Sequence, residues 1–197
     1  MKTKRKELKL CLSNIEKINF ISSFRGELKP IFEERTITSL YFDSINFSLY
    51  KRSRSFDVDK YKIRFRTYSN SKQIIQEIKY TNSDSKFKRF LKTDFKSFDD
   101  INKFNYDNLT LLPTLFVSYS RSYFTYKDTR VTVDKNISFK SHQYRTLAPV
   151  EYFPNNLNVI EFKLFNETKD IEKYIKKPTE KFSKYEYGIH KIFNLDY

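Results

Sequence analysis

Residues 60–68 read KYKIRFRTY, and the alternation in this stretch decides how the whole chain is read. In an extended strand successive side chains point to opposite faces. Lys60, Lys62, Arg64 and Arg66 therefore share one face, and Tyr61, Ile63 and Phe65 the other. Same-face neighbours are only about 6–7 Å apart, so this row of cations repels itself. Two surroundings tolerate that: water, which screens the charge, or a polyanion held against the row. Spacing alone favours the solvated face, and the rest of the sequence has to shift that balance.

The same design recurs along the chain. Residues 4–12 alternate, with Lys6, Leu8, Leu10 and Leu12 against Arg5, Glu7, Lys9 and Cys11. A strand over 36–42 precedes the basic one, and residues 72–80 follow it with Glu77 and Lys79 on one face. TNSDS at 81–85 is a turn, and 86–93 is the returning hairpin strand. Within 114–126, Arg121 lies in line with Leu115, Val117, Tyr119 and Tyr123; within 130–139, Arg130, Thr132 and Asp134 fall together. Residues 157–165 set Val159, Glu161 and Lys163 against Ile160, Phe162 and Leu164.

Helices are expected between some of these strands. Ser13-Asn14-Ile15-Glu16 has capping-box form, and Ile15, Ile18, Ile21 and Phe24 continue to Gly26, predicting a helix over about 14–25. Asp43 or Ser44 caps a short helix carrying Phe47 and Tyr50. Further short helices are expected near 95–101 and 166–177, residues 141–156 read as loop, and Tyr185, Ile189, Ile192 and Phe193 mark a C-terminal helix. The expectation is an α+β fold: an antiparallel eight-stranded β-barrel with helices packed outside. If the apolar faces pack outward on helices, the charged faces line a tunnel.

Composition narrows the function. The 197 residues suit one domain spanning 1–197, and the net charge of +14 draws acidic partners. With only two glycines, Gly26 and Gly188, no glycine-rich loop can cradle phosphate, so side chains must bind any phosphate. Cys11 is alone and His142 and His190 stand apart, which argues against disulfides, a Cys-cluster zinc site and a serine triad. No apolar run approaches the roughly 20 residues of a membrane span, and the expected location is cytoplasmic.

RKELK at 5–9, SLYFDS at 39–44, KYKIRFRTY at 60–68, EIK at 77–79, SYSRSYF at 118–124, RVTVD at 130–134, VIEFK at 159–163 and KFSKYEYGI at 181–189 occur in an order that resembles VTC domains. These are the catalytic modules of the vacuolar transporter chaperone complex and its bacterial relatives, within the triphosphate tunnel metalloenzymes. The resemblance covers nearly the whole chain. It implies a tunnel that binds ATP and polyphosphate or triphosphate, a Mn²⁺ or Mg²⁺ cofactor, and polymerisation of the γ-phosphate of ATP into inorganic polyphosphate. The implied phosphate ligands are Lys9, Arg64, Arg66, Lys79, Arg121, Arg130, Lys181 and Lys184, with Lys62 further along the strand face. Arg64, Arg66, Lys79, Arg121 and Glu161 form the implied catalytic set, and Glu161 the metal ligand. Glu7 and Glu77 join it as metal candidates from face sharing alone. Other superfamily branches open with Glu-x-Glu-x-Lys, where this chain has Arg5 in the first position.

Bland readings stand beside each assignment. Arg121, Glu161, Glu7 and Glu77 could be structural ion-pair partners, Asp134 a partner of Arg130 or a neighbour, and Lys181 and Lys184 the solvated start of a helix. The competing functions are a tunnel triphosphatase, a non-catalytic polyphosphate- or nucleotide-binding module, and, least favoured, a nucleic-acid binder. A membrane-protein partner at the inner face of a membrane is a further implication of the resemblance.

Overall fold

The computed structural model describes residues 6–56, 59–82, 86–164, 171, 173–175 and 177–195. Ten strands lie among them. They are β1 (Lys6–Leu12), β2 (Lys29–Asp43), β3 (Lys60–Tyr68), β4 (Ser71–Thr81), β5 (Lys86–Lys92), β6 (Phe104–Tyr106), β7 (Leu109–Tyr126), β8 (Thr129–Ser141), β9 (Glu151–Tyr152) and β10 (Asn158–Leu164). Hydrogen bonding orders them β1-β10-β8-β7-β2-β3-β4-β5, with β6 on β7 and β9 on β8. The pairs whose register is resolved are antiparallel. The expected closed eight-stranded barrel is corrected to an open sheet: the path ends at β1 and β5, and every residue of β5 is exposed, as on an edge without a further strand.

Two strands escaped the sequence reading. Asp107 and Asn108, both at positive φ (48° and 59°), make the two-residue turn that folds β6 back on β7. The short β9 lies in the stretch expected to be loop.

Contacts divide the chain into two compact units, each built from three segments: Met1–Thr36, Tyr119–Ile137 and Phe153–Phe182 in unit 1, and Ile37–Ser118, Ser138–Tyr152 and Ser183–Tyr197 in unit 2. In unit 1 the apolar alternation of β1, β8 and β10 delivers Leu10, Leu12, Val131, Val133, Ile160 and Phe162 to one core with Phe24 and Tyr126. Helix α1 (Asn14–Ser23) begins at the predicted capping box. Its apolar stripe differs from expectation, since Phe20 and Ile21 pack on the core while Ile15 and Ile18 are 71% and 59% exposed. A strict three-residue spacing drifts about 60° per step around a helix of 3.6 residues per turn, so four such residues cannot share one face.

In unit 2, Ile63 and Phe65 of β3 join Leu40, Phe42, Ile74 and Ile78 in a second core capped by Leu49 of α2 (Ser48–Arg54). That burial turns Lys62, Arg64 and Arg66 to the opposite face. Helix α2 starts later than expected, at Phe47 in the left-handed region, yet both predicted capping residues serve it. The Ser44 hydroxyl accepts from the Ser48 amide at 2.9 Å, and the Asp43 carboxylate accepts from the amides of Leu49 and Tyr50 at 2.8 and 2.9 Å. The expected helix near 95–101 is a 3-10 turn, Phe98–Asp100. The one expected over 166–177 lies largely outside the described residues.

Helix α3 (Lys184–Phe193) buries Tyr185, Gly188, Ile189 and Ile192. A Cβ on Gly188 would stand within 3.0 Å of Phe139 and 2.7 Å from the Leu115 side chain. Overpacking of this kind costs roughly 1–3 kcal/mol. Gly188→Ala should therefore lower the unfolding free energy by that amount, read as a lower urea midpoint with an unchanged m-value, although alanine is the better helix former.

Candidate functional site

The charged residues form two clusters, one in each unit. In unit 2 the register sets Arg64 opposite Glu77 and Lys62 opposite Lys79. Both carboxylate oxygens of Glu77 are engaged: Oε2 accepts from Arg64 Nε at 2.8 Å and from its Nη2, and Oε1 from Arg66 Nη1 at 3.1 Å. Burial pushes the Glu77 carboxyl up, but the Arg64 and then the Arg66 guanidinium outweigh it and hold the pKa below the usual range. Arg66 is sealed in, its Nε donating to Ser39 at 2.9 Å, whereas the Arg64 side chain stays 21% exposed and also donates to the Tyr41 hydroxyl at 2.6 Å. Tyr41 in turn stacks on Tyr185 of α3, with ring centroids 4.9 Å apart.

Lys62 leaves the strand row. Its ammonium donates to Glu186 at 2.5 Å and Ser183 at 2.9 Å, in the first turn of α3. The first turn of that helix therefore meets the charged face. Lys79 and Lys184 are half-buried within the same unit. Glu186 was missed by sequence reading, although Ser183 and Glu186 repeat the Ser-x-x-Glu spacing of a helix start. Its carboxylate serves Lys62, while only its amide uses Ser183 as a cap.

In unit 1 three strands lay their side chains in matched rows: Glu7 opposite Lys163 opposite Arg130, and Lys9 opposite Glu161 opposite Thr132. Lys163 Nζ lies 3.3 Å from Glu161 and 3.8 Å from Glu7. Burial raises the Glu161 pKa, but Lys163, Lys9 and Arg121 overcome it and keep the carboxyl ionised at neutral pH. Lys9 donates to the Phe182 carbonyl at 2.8 Å. Arg121 and Asp134 form a two-point pair, Nε to Oδ1 at 2.5 Å and Nη2 to Oδ2 at 2.7 Å, with Asp134 only 1% exposed. Asp134 thus belongs to Arg121 and not to Arg130, which sits over the Tyr123 ring at 5.6 Å. Lys181 is exposed in the segment before α3, and Arg5 lies outside the described residues.

Of the readings left open for Glu77, ion pairing is the one its geometry displays. Among the described residues no three His, Cys, Asp or Glu side chains gather as a metal-holding group. Glu161 and Glu7 are the remaining pair of carboxylates, sharing one lysine. Such a pair fits Mg²⁺ or Mn²⁺, hard cations that are commonly bound by one or two carboxylates together with substrate phosphates.

The sequence profile of the VTC domain matches residues 5–109 and 92–193. The chain belongs to the VTC domain family. No curated protein matches the sequence. Among solved structures, this VTC domain is similar to the PH1819 protein of Pyrococcus horikoshii OT3, at 15% identity over 97% of this chain and 99% of that one, with a TM-score of 0.59. A candidate adenylate cyclase of Bacillus halodurans gives 14% identity, coverage of 96% and 98%, and a TM-score of 0.57. These likenesses support the α+β fold. Among the described residues of the VTC domain, no helix is long and apolar enough to cross a membrane.

Proposed function

We propose that this VTC domain transfers the γ-phosphate of ATP to the end of an inorganic polyphosphate chain. The observation that supports this reading best is the family match running from residue 5 to residue 193, over a chain that holds Arg64, Arg66 and Arg121 on buried carboxylates.

Phosphoryl transfer asks a protein for positioning and charge neutralisation more than for covalent chemistry. A terminal phosphate oxygen attacks the γ-phosphorus, the bond from the γ-phosphorus to the bridging oxygen breaks, and ADP departs. The attacking oxygen is already ionised, so no general base is needed. Arg64 presents the more accessible guanidinium of the Glu77 pair, aimed by Glu77 and Tyr41, and a planar fork of this kind suits two phosphate oxygens. Lys79 and Lys184 add compact charges in the same unit, and in unit 1 Lys9 and Lys181 add compact charges while Arg121 and Arg130 add guanidiniums. Glu161, with Glu7, would hold Mn²⁺ or Mg²⁺, which when bound neutralises phosphate oxygens.

A specific observation favours a second reading. Glu7 and Glu161 flank one lysine, an arrangement as useful for hydrolysis as for polymerisation, and a tunnel triphosphatase would use it with water as acceptor. Incubation with ATP and manganese separates the two. The polymerase yields ADP and a polymer sensitive to polyphosphatase; orthophosphate as the sole product establishes the triphosphatase; nucleotide binding without turnover leaves a binding module.

A further inference from the structure

Among the described residues of unit 1, two buried side-chain polar atoms have no hydrogen-bond partner, Arg130 Nε and Thr132 Oγ1. They sit two residues apart on one face of β8, and Thr132 is only 1% exposed. Native structures leave few such atoms, because an unpaired buried donor forfeits its hydrogen bond to water. The neighbours do not relieve them. Asp134, next on the same face, is taken by Arg121, and Glu161, opposite Thr132, is drawn towards Lys163. Both orphans can donate, the guanidinium N–H without alternative and the hydroxyl by rotation. Two idle donors beside a row of cations call for an anionic acceptor.

We infer that Thr132 is a phosphate-binding residue, its hydroxyl donating with Arg130 Nε to oxygens of a bound phosphoanhydride chain. The inference rests on the phosphate-binding reading above and adds a neutral donor to a set otherwise made of charges. A hydroxyl contributes direction where a lysine contributes charge, so Thr132 would fix where an oxygen sits in unit 1. The arrangement also implies an exchange. The empty protein carries an unsatisfied hydroxyl that the bound protein satisfies, so stability without ligand is given up for affinity.

The test compares wild type, Thr132→Val and Thr132→Ser in the whole chain, by calorimetric titration with tripolyphosphate in magnesium and by thermal melting without ligand. Valine keeps the shape and removes the donor. Thr132→Val is expected to bind tripolyphosphate about tenfold more weakly and to melt at or above the wild-type temperature. Thr132→Ser should bind within about threefold of wild type, as expected if only the donor matters. Unchanged affinity in Thr132→Val overturns the inference while leaving wild-type phosphate binding intact. A lower melting temperature for Thr132→Val with unchanged affinity also overturns it, because the hydroxyl then serves the empty protein, through a bound water for example. Absence of tripolyphosphate binding by wild type removes both this inference and the functional reading beneath it.

Discussion

Glu77→Gln is expected to destabilise the protein by about 3–5 kcal/mol, the usual cost of breaking a buried ion pair by removing one partner. The carboxylate is 5% exposed and engages two guanidiniums, one of them on an arginine itself only 5% exposed. Neutralising it removes the negative charge that both guanidiniums share. Urea unfolding at neutral pH measures the loss. Tripolyphosphate should then stabilise Glu77→Gln more than wild type, since an added anion supplies what the variant lacks. The pH dependence has a definite sign. Glu77 titrates below its unfolded value, so its contribution is present above the ordinary glutamate range and is lost as pH falls through the depressed pKa. Wild type should lose stability relative to Glu77→Gln across that acidic window. Equal acid sensitivity of the two proteins would mean that Glu77 is not the carboxylate responsible.

Arg64→Ala carries the largest expected effect on turnover, a fall of at least about 100-fold in ATP consumption, in line with removal of a preorganised charge-stabilising donor. The substitution is cleaner than one at Arg66. Arg66 stays on Glu77 and Ser39 when Arg64 is removed, so the buried carboxylate keeps a partner. Stability should therefore drop much less than in Glu77→Gln, and circular dichroism with urea unfolding checks this. Activity within a few-fold of wild type would remove Arg64 from the reaction. Arg66→Ala by contrast should behave chiefly as a folding mutant, since its buried guanidinium is held on Glu77 and Ser39.

These two residues show what a sequence can and cannot carry. The alternation of KYKIRFRTY is enough to place Ile63 and Phe65 in a core and Arg64 and Arg66 opposite them, and β3 has the bounds that the pattern implied. The partners depend on register between strands, which no single strand records. Glu77 reads as a metal candidate until β3 and β4 are aligned and the carboxylate is found between two arginines. Asp134 is separated from Arg121 by a strand turn and looks nearer to Arg130. Thr132 gives no signal, because threonine in a strand is ordinary and its idle hydroxyl shows only when its neighbours' bonds are traced. The extension of β2 over residues 29–35 escaped for the opposite reason: its exposed Glu33 and Glu34 and half-buried Arg35 offer no apolar alternation to read.

The buried Asp43 has a consequence in time as well as in space. Its carboxylate accepts from the amides of Ser44, Leu49 and Tyr50, all supplied locally, and from the hydroxyl of Tyr185, 142 positions along the chain. Burial pushes its pKa upward, so the site is incomplete until that last donor arrives. At ribosomal elongation rates of about 5–20 residues per second, Tyr185 follows Asp43 by on the order of 10 s. Through that interval the nascent chain holds β2, α2 and β3 without the helix that carries Tyr185, and completing the Asp43 site waits on a stretch made long after it.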